Sequence, residues 1–252
     1  MTVNWSPLRT ELDRYRAEGL SLPIWWRDDD ATAPTPALHK LLGVSEEIGL
    51  PVHIAVIPKT ATSALAEIAK NRRSMIPVIH GWAHENLAPE GSKKAEFGHP
   101  HPDASTRTQA GLARMRQLFG HDMLAMFVPP WNRIDAEVTA GLAAQGYVAL
   151  STFTPRRAQH VAGLVQINTH VDPIAWRAGG GLAPPDEVIA KTVALLQDRR
   201  AGRTDDTEPL GFLSHHLVHD KAIWDFSREF LTELLEGGAK PCDFLRQPID
   251  LP

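Results

Sequence analysis

Three consecutive acids, Asp28, Asp29 and Asp30, end the stretch Pro23-Ile24-Trp25-Trp26-Arg27, and two histidines, His80 and His84, follow the apolar run Met75-Ile76-Pro77-Val78-Ile79. Three adjacent carboxylates repel one another unless a cation or protons hold them together. Two imidazoles separated by three residues can converge on one divalent ion once a carboxylate reaches them from elsewhere in the chain. The expected centre is therefore one Asp and two His around a single ion, zinc foremost, with cobalt, nickel and manganese as alternatives. Such an ion keeps a position open for water, lowers that water's pKa and polarises a carbonyl, while a second carboxylate removes the proton.

A second set of residues suits proton transfer. Ser214-His215-His216, with His219 close behind, follows the apolar run Leu210-Gly211-Phe212-Leu213. An imidazole there titrates in the range needed to protonate an amine leaving group. His170 and Asp172, after another apolar run, are candidates to hold the base or the acid in place. Six of the seven tryptophans, Trp25, Trp26, Trp82, Trp131, Trp176 and Trp224, lie within a few residues of these polar clusters. Their faces can stack on sugar rings and exclude water, although Trp is equally an ordinary core residue. His99 and His101 read as a surface loop, and Gly179 to Gly181 as a hinge or plain loop, since no strand precedes them at phosphate-loop spacing.

The elements that must position these groups alternate. An amphipathic helix over 7–18 precedes the strand that enters the triple Asp, and a helix over 37–47 leads to Val52-His53-Ile54-Ala55-Val56, apolar enough to be buried on both faces. A short helix over 63–70 leads to the strand before His80. Residues 87–105 form a long polar loop, placed over the site as a lid or wall, and a helix over 106–119 follows. Strands are expected over 123–128, 147–152, 161–168 and 210–213, with helices over 136–145, 186–199 and 226–235. Four of the strands run without a break into clusters of ionisable or aromatic residues. The C-terminal ends of the strands of a parallel barrel collect on one face, where chemistry sits. An α/β fold with a largely parallel sheet follows.

At 252 residues, with 43% hydrophobic and 22% charged residues, the chain is expected to be one globular domain over 1–252. A net charge of −4 with no basic run argues against general nucleic-acid binding. The single cysteine, Cys242, excludes an internal disulfide and a thiolate metal cluster, and reads as a half-buried structural residue. The start lacks the apolar core of a secretory signal, and no run of about 18 apolar residues occurs, so a cytoplasmic protein that does not engage membranes is expected. Homo-oligomerisation is left open.

The order of these motifs resembles the polysaccharide deacetylase superfamily, the NodB-homology deacetylases. The resemblance rests on Asp29-Asp30, His80 to His84, Pro129-Pro130-Trp131 and Leu213-Ser214-His215, spread in order over most of the chain. It implies a distorted, TIM-like (β/α) barrel of about seven parallel strands and metal-dependent removal of an acyl group, typically acetyl, from the amide nitrogen of a sugar, an oligosaccharide or another small molecule. By that analogy Asp30, His80 and His84 bind the metal, Asp29 is the base and His215 the acid. A one-residue shift would instead give Asp29 as ligand and Asp28 as base. Trp82, Pro130, Trp131, Asn132, Arg133 and His216 would contact substrate. Two departures stand out. Val128 occupies the position of the family arginine that orients the base, so that charge must come from Arg27 or Arg133, and the glycine that usually follows Asp-Asp is replaced. A catalytically silent sugar-binding barrel and a hydrolase of cyclic amides or ureides are the competing expectations.

Overall fold

Period-two alternation along the strands sorts their side chains into two layers. In the computed structural model, which describes residues 3–247, the chain order is α1 Ser6–Ala17, β1 Pro23–Ala31, α2 Pro36–Ile48, β2 Val52–Val56, α3 Ser63–Asn71, β3 Met75–His80, α4 Ala104–Phe119, β4 Met126–Val128, α5 Ala136–Gln145, β5 Ala149–Leu150, β6 His160–Val161, β7 Leu164–Gln166, α6 Pro185–Arg200, β8 Leu210–Ser214, α7 Lys221–Glu236 and β9 Lys240–Pro241. Ile24, Trp26, Ile54, Ile79, Phe127 and Phe212 belong to a core shared with the helices. Trp25, Ala55, Val78 and Val128, one position out of phase, form a separate buried cluster enclosed by the sheet.

The sheet order is β6-β7-β5-β4-β3-β2-β1-β8, and every pairing is parallel except that of β6 with β7. The chain beyond β7 returns to β8, where Val171 bridges Phe212 and the amides of His170 and Val171 donate to the Gly211 carbonyl. The sheet thus curls into a distorted barrel of seven parallel strands, β1, β2, β3, β4, β5, β7 and β8. Phe244 packs near one end of its interior, with ring centroids 5.5 Å from Trp25 and 5.0 Å from His53.

Four elements differ from expectation. The strand anticipated over 161–168 is a hairpin, because Ala162 (φ 48°) and Gly163 (φ 79°) form a tight left-handed turn that reverses the chain. This hairpin stands where a crossover helix would join parallel β5 and β7. The last helix begins five residues before the expected 226, since the Asp220 carboxylate accepts from the Ile223 amide and caps it. β4 and β5 are shorter than the apolar runs that carry them. Among the described residues no helix is long and apolar enough to cross a membrane. Cys242 is buried, and burial pushes its thiol up to about 11.

Candidate metal centre and active site

The triple Asp sits on an irregularity that ends regular pairing. β1 and β2 keep register at Asp28↔Ile54, then resume at Ala31↔Val56, so β1 carries one extra residue between these points. Asp30 takes up the difference with φ 77°, a left-handed conformation that a short polar side chain tolerates better than a branched one. Before the bulge ordinary alternation holds. Arg27 and Asp29 share one face and interact, while Asp28 turns to the other and meets the residues after β8.

Asp30 lies against both histidines. Its Oδ1 is 3.1 Å from His80 Nε2 and 3.3 Å from His84 Nε2. One donor atom from each of the three residues falls within 4.8 Å of the other two, the one such group of three or more among the described residues. The rings are set from behind. His80 Nδ1 donates to the Val128 carbonyl at 3.0 Å, which leaves Nε2 to face Asp30. The residue in the family arginine's place therefore orients His80 through its backbone. Burial by itself would push His80 down, but Asp29 and Asp30 more than offset this and raise its pKa. Burial also opposes ionisation of Asp30, yet the hydrogen bond to His80 and the nearby imidazoles hold it well below the usual carboxylate range. Burial and the neighbouring His80 lower His84. Charges that favour a proton on His80 would equally favour a cation, and the two-imidazole, one-carboxylate set fits zinc or a similar borderline ion.

His84 depends on a residue that the motifs did not reveal. The fully buried Glu96 carboxylate accepts from the backbone amides of Trp82, Ala83 and His84 at 3.3, 2.9 and 3.0 Å. These bonds wrap the turn that carries His84 into a left-handed conformation (φ 56°). Gly81 (φ 57°) makes the turn sterically feasible, because a Cβ there would stand 2.6 Å from both Glu96 Oε2 and Pro130 Cδ. Nothing in the loop's composition distinguishes Glu96 from its other acids. The loop expected as a lid thus supplies a support for the metal turn.

Asp29 is clamped by an arginine from its own strand. Arg27, with no exposed surface, donates from Nε and Nη2 to the two Asp29 oxygens at 2.9 and 3.0 Å. Its remaining donors reach Asn132 Oδ1 at 2.7 Å, Ser151 Oγ at 2.8 Å and the Thr152 carbonyl at 3.2 Å. Of the two arginines considered for this role, Arg133 points away and donates to the Lys94 carbonyl. Trp131 and Asn132 occupy successive left-handed conformations (φ 57° and 56°) after buried Pro130. This places the Trp131 ring 4.2 Å from His84 and the Asn132 amide on Arg27. Trp82 is half-buried against the main core.

The three late histidines separate by environment. His216, expected among the substrate contacts, is 1% exposed, and its Nδ1 donates to Asp28 at 2.5 Å. Asp28 also accepts from the His216 amide and from Ser214 Oγ, which in turn accepts from Trp26 Nε1. Burial opposes both charges, but each partner favours the other's ionised form, so Asp28 is lowered and His216 raised. These contacts fasten Asp28 away from the Asp30–His80–His84 group. His219 Nε2 accepts from the His215 amide, and burial lowers its pKa to about 4. The His215 ring instead meets Trp176 edge-on at 4.8 Å and interacts electrostatically with Asp30 and Asp172. Trp176 donates to Asp172 at 2.8 Å, and burial raises the Asp172 pKa. His170 does not join this group. Its ring lies in a buried network with Glu208 and the Gly211 amide, structural in effect.

No family model matches the sequence, and no curated protein matches it. Similarity appears in three dimensions. A putative polysaccharide deacetylase from Mycobacterium smegmatis superposes with a TM-score of 0.61 at 17% identity, covering 91% of this chain and 95% of that one. A family 4 carbohydrate esterase from Streptomyces lividans in complex with acetate gives 0.54 at 14% identity, covering 88% and 92%. A CE4-family pseudoenzyme from Bacillus anthracis gives 0.55 at 14% identity, covering 88% and 63%. At these identities the likeness is one of fold, and it includes both active and inactive proteins.

Proposed function

We propose that this chain, which has the fold of the CE4 deacetylases, is a metal-dependent hydrolase that removes an acyl group from an amide nitrogen. The observation that carries the reading is the convergence of Asp30, His80 and His84 beside an Asp29 held by two hydrogen bonds from Arg27. Asp30, His80 and His84 would hold the ion, which when bound supplies Lewis acidity to a carbonyl and to a water. Asp29 accepts the proton of the attacking water, and Arg27 keeps its two oxygens fixed. The water oxygen adds to the amide carbon, the carbon–nitrogen bond breaks, and His215 delivers a proton to the departing nitrogen. The products are a carboxylate and an amine. Asp172 lies near His215 and is fixed by a hydrogen bond from Trp176, whose ring meets the His215 ring edge-on. Trp131 and Asn132 border the substrate.

Val128 was the reason to consider a silent sugar-binding barrel, and the clamp from Arg27 supplies the charge that Val128 lacks. The test combines metal analysis with one substitution. After loading with zinc or cobalt and removal of excess, wild type should hold near one ion per chain, and His80→Ala with His84→Ala almost none. Asp29→Asn should keep the ion and lose turnover on N-acetyl amides. Absence of tight metal in wild type would reject the hydrolase reading, and a fully active Asp29→Asn would reject the base. A panel that includes cyclic amides and ureides separates deacylation from ring opening.

A further inference from the structure

A cavity of about 740 Å³ opens beside Trp176 and Asp172. Its wall is mainly apolar, with Phe153, Val171, Ile174, Ala183, Val188 and Leu195 among the lining side chains. It lies against α6 and the turns after β5 and β7. That volume is in the range of small-molecule sites. Trp176, Leu217 and Val218, each about half exposed, are three of the four large exposed hydrophobic residues among those described. All three stand within reach of His215, Trp176 by ring contact and the other two in the turn that follows it. A second cleft, of about 950 Å³, is bordered by Lys93, His99, Asn132, Arg133 and Gln166 as well as apolar residues, and is the more polar of the two. A purely saccharide ligand would leave the first cavity without a matching partner, because apolar walls gain little from hydroxyl groups and desolvate them at a cost.

The direction of proton transfer says which half of the substrate meets the cavity. Under the hydrolase reading, on which this inference rests, His215 gives its proton to the amide nitrogen, so the nitrogen and its substituent lie on the His215 side of the scissile bond. Trp176 contacts His215 and lines the cavity. We infer that the cavity receives an apolar aryl or branched alkyl substituent on the amide nitrogen, so that the released product is an apolar primary amine and not an amino sugar.

The probes are 4-phenylbutylamine and glucosamine, titrated by calorimetry into the full-length, metal-free protein. The aryl amine should bind at least tenfold more tightly. Ala183→Phe and Ala175→Phe, which fill the cavity from two positions, should each weaken that binding at least tenfold, with circular dichroism and unfolding midpoints showing that the variants fold. Equal binding of the two amines, or aryl-amine binding that neither variant alters, overturns the inference. The N-acetyl derivatives of both amines are then offered to metal-loaded wild type, with at least tenfold higher kcat/KM expected for the aryl compound. Equal rates would keep the hydrolase and reject the apolar arm. No turnover of either, with cavity binding intact, would reject the hydrolase and leave the cavity as an apolar-amine site.

Discussion

Arg27 shows how one buried side chain can decide whether a neighbouring carboxylate is useful. It has no exposed surface and uses five donor contacts, two of them on Asp29. Lysine would keep the positive charge but not the planar fork, so Arg27→Lys is not a mild change here. Asp29 would lose one oriented bond, and Asn132 and Ser151 would lose a common partner. Turnover should fall at least about a hundredfold as the base loses its orientation. Stability should fall by about 3 kcal/mol, because a mostly buried ion pair is left imperfectly matched. Metal stoichiometry should stay near wild type, since none of the three proposed ligands contacts Arg27 by a hydrogen bond. Steady-state kinetics, urea unfolding and metal analysis on the same preparation check all three. Loss of metal together with activity would mean that Arg27 shapes the whole mouth of the barrel and does not act through Asp29.

The turn between β3 and α4 shows what was legible in the sequence and what was not. The strand ending at His80, the second histidine and the acids at the end of β1 were readable, because apolar runs that stop at ionisable residues mark strand ends. The largely parallel α/β sheet followed from strand–helix alternation, and its curling into a distorted barrel followed from the motif resemblance. The bulge that turns Asp30 was hidden, since register is a relation between two strands. Asp28 looked interchangeable with its neighbours until alternation across β1 and β8 set it against Ser214 and His216. The Ala162-Gly163 turn inside an apolar run was likewise missed because Ala is a rare choice for that conformation. Glu96 was invisible because its partners are, apart from Arg107, backbone amides, which every residue offers. Glu96→Gln tests that support. The amide side chain keeps one acceptor oxygen in place of two, so at least one of the three backbone donors loses its partner. His84 should then hold its position less well, and affinity for zinc should drop about 10- to 100-fold, the usual effect of removing a group that orients a ligand. A competition titration with a chromophoric chelator measures this. Unchanged affinity with normal folding would show that the turn is set by Gly81 and Pro130 packing without Glu96.

At the scale of the whole molecule, the barrel interior holds a titratable group away from the chemistry, and acid should find it. His53 lies on β2 with no exposed surface, edge-on to Trp25 at 5.3 Å and beside Phe244. Its Nδ1 is 3.2 Å from the Trp26 carbonyl, while Nε2 is buried without a partner. Burial pushes its pKa down to about 4, because the enclosed apolar surroundings disfavour the imidazolium. In the unfolded chain His53 takes up a proton near its ordinary value of about 6.5. The unfolded state therefore binds more protons between those two values, and stability falls as pH drops from 6.5 toward 4. The loss attributable to His53 approaches about 3 kcal/mol at the acid end. His219, also lowered to about 4, adds a contribution of the same sign. His216 acts oppositely, since its raised pKa favours the folded state in acid until Asp28 is protonated. The wild-type slope is a sum over these groups, so the informative quantity is a difference. His53→Phe keeps an aromatic ring against Trp25 and Phe244 and removes the titration. Urea midpoints at pH 7 and pH 4.5 should show wild type losing more stability than His53→Phe by roughly 2 kcal/mol, after subtraction of their offset at pH 7. Parallel pH dependence of the two proteins would mean that water or a local opening reaches the barrel's interior and that His53 titrates there as it does in solvent.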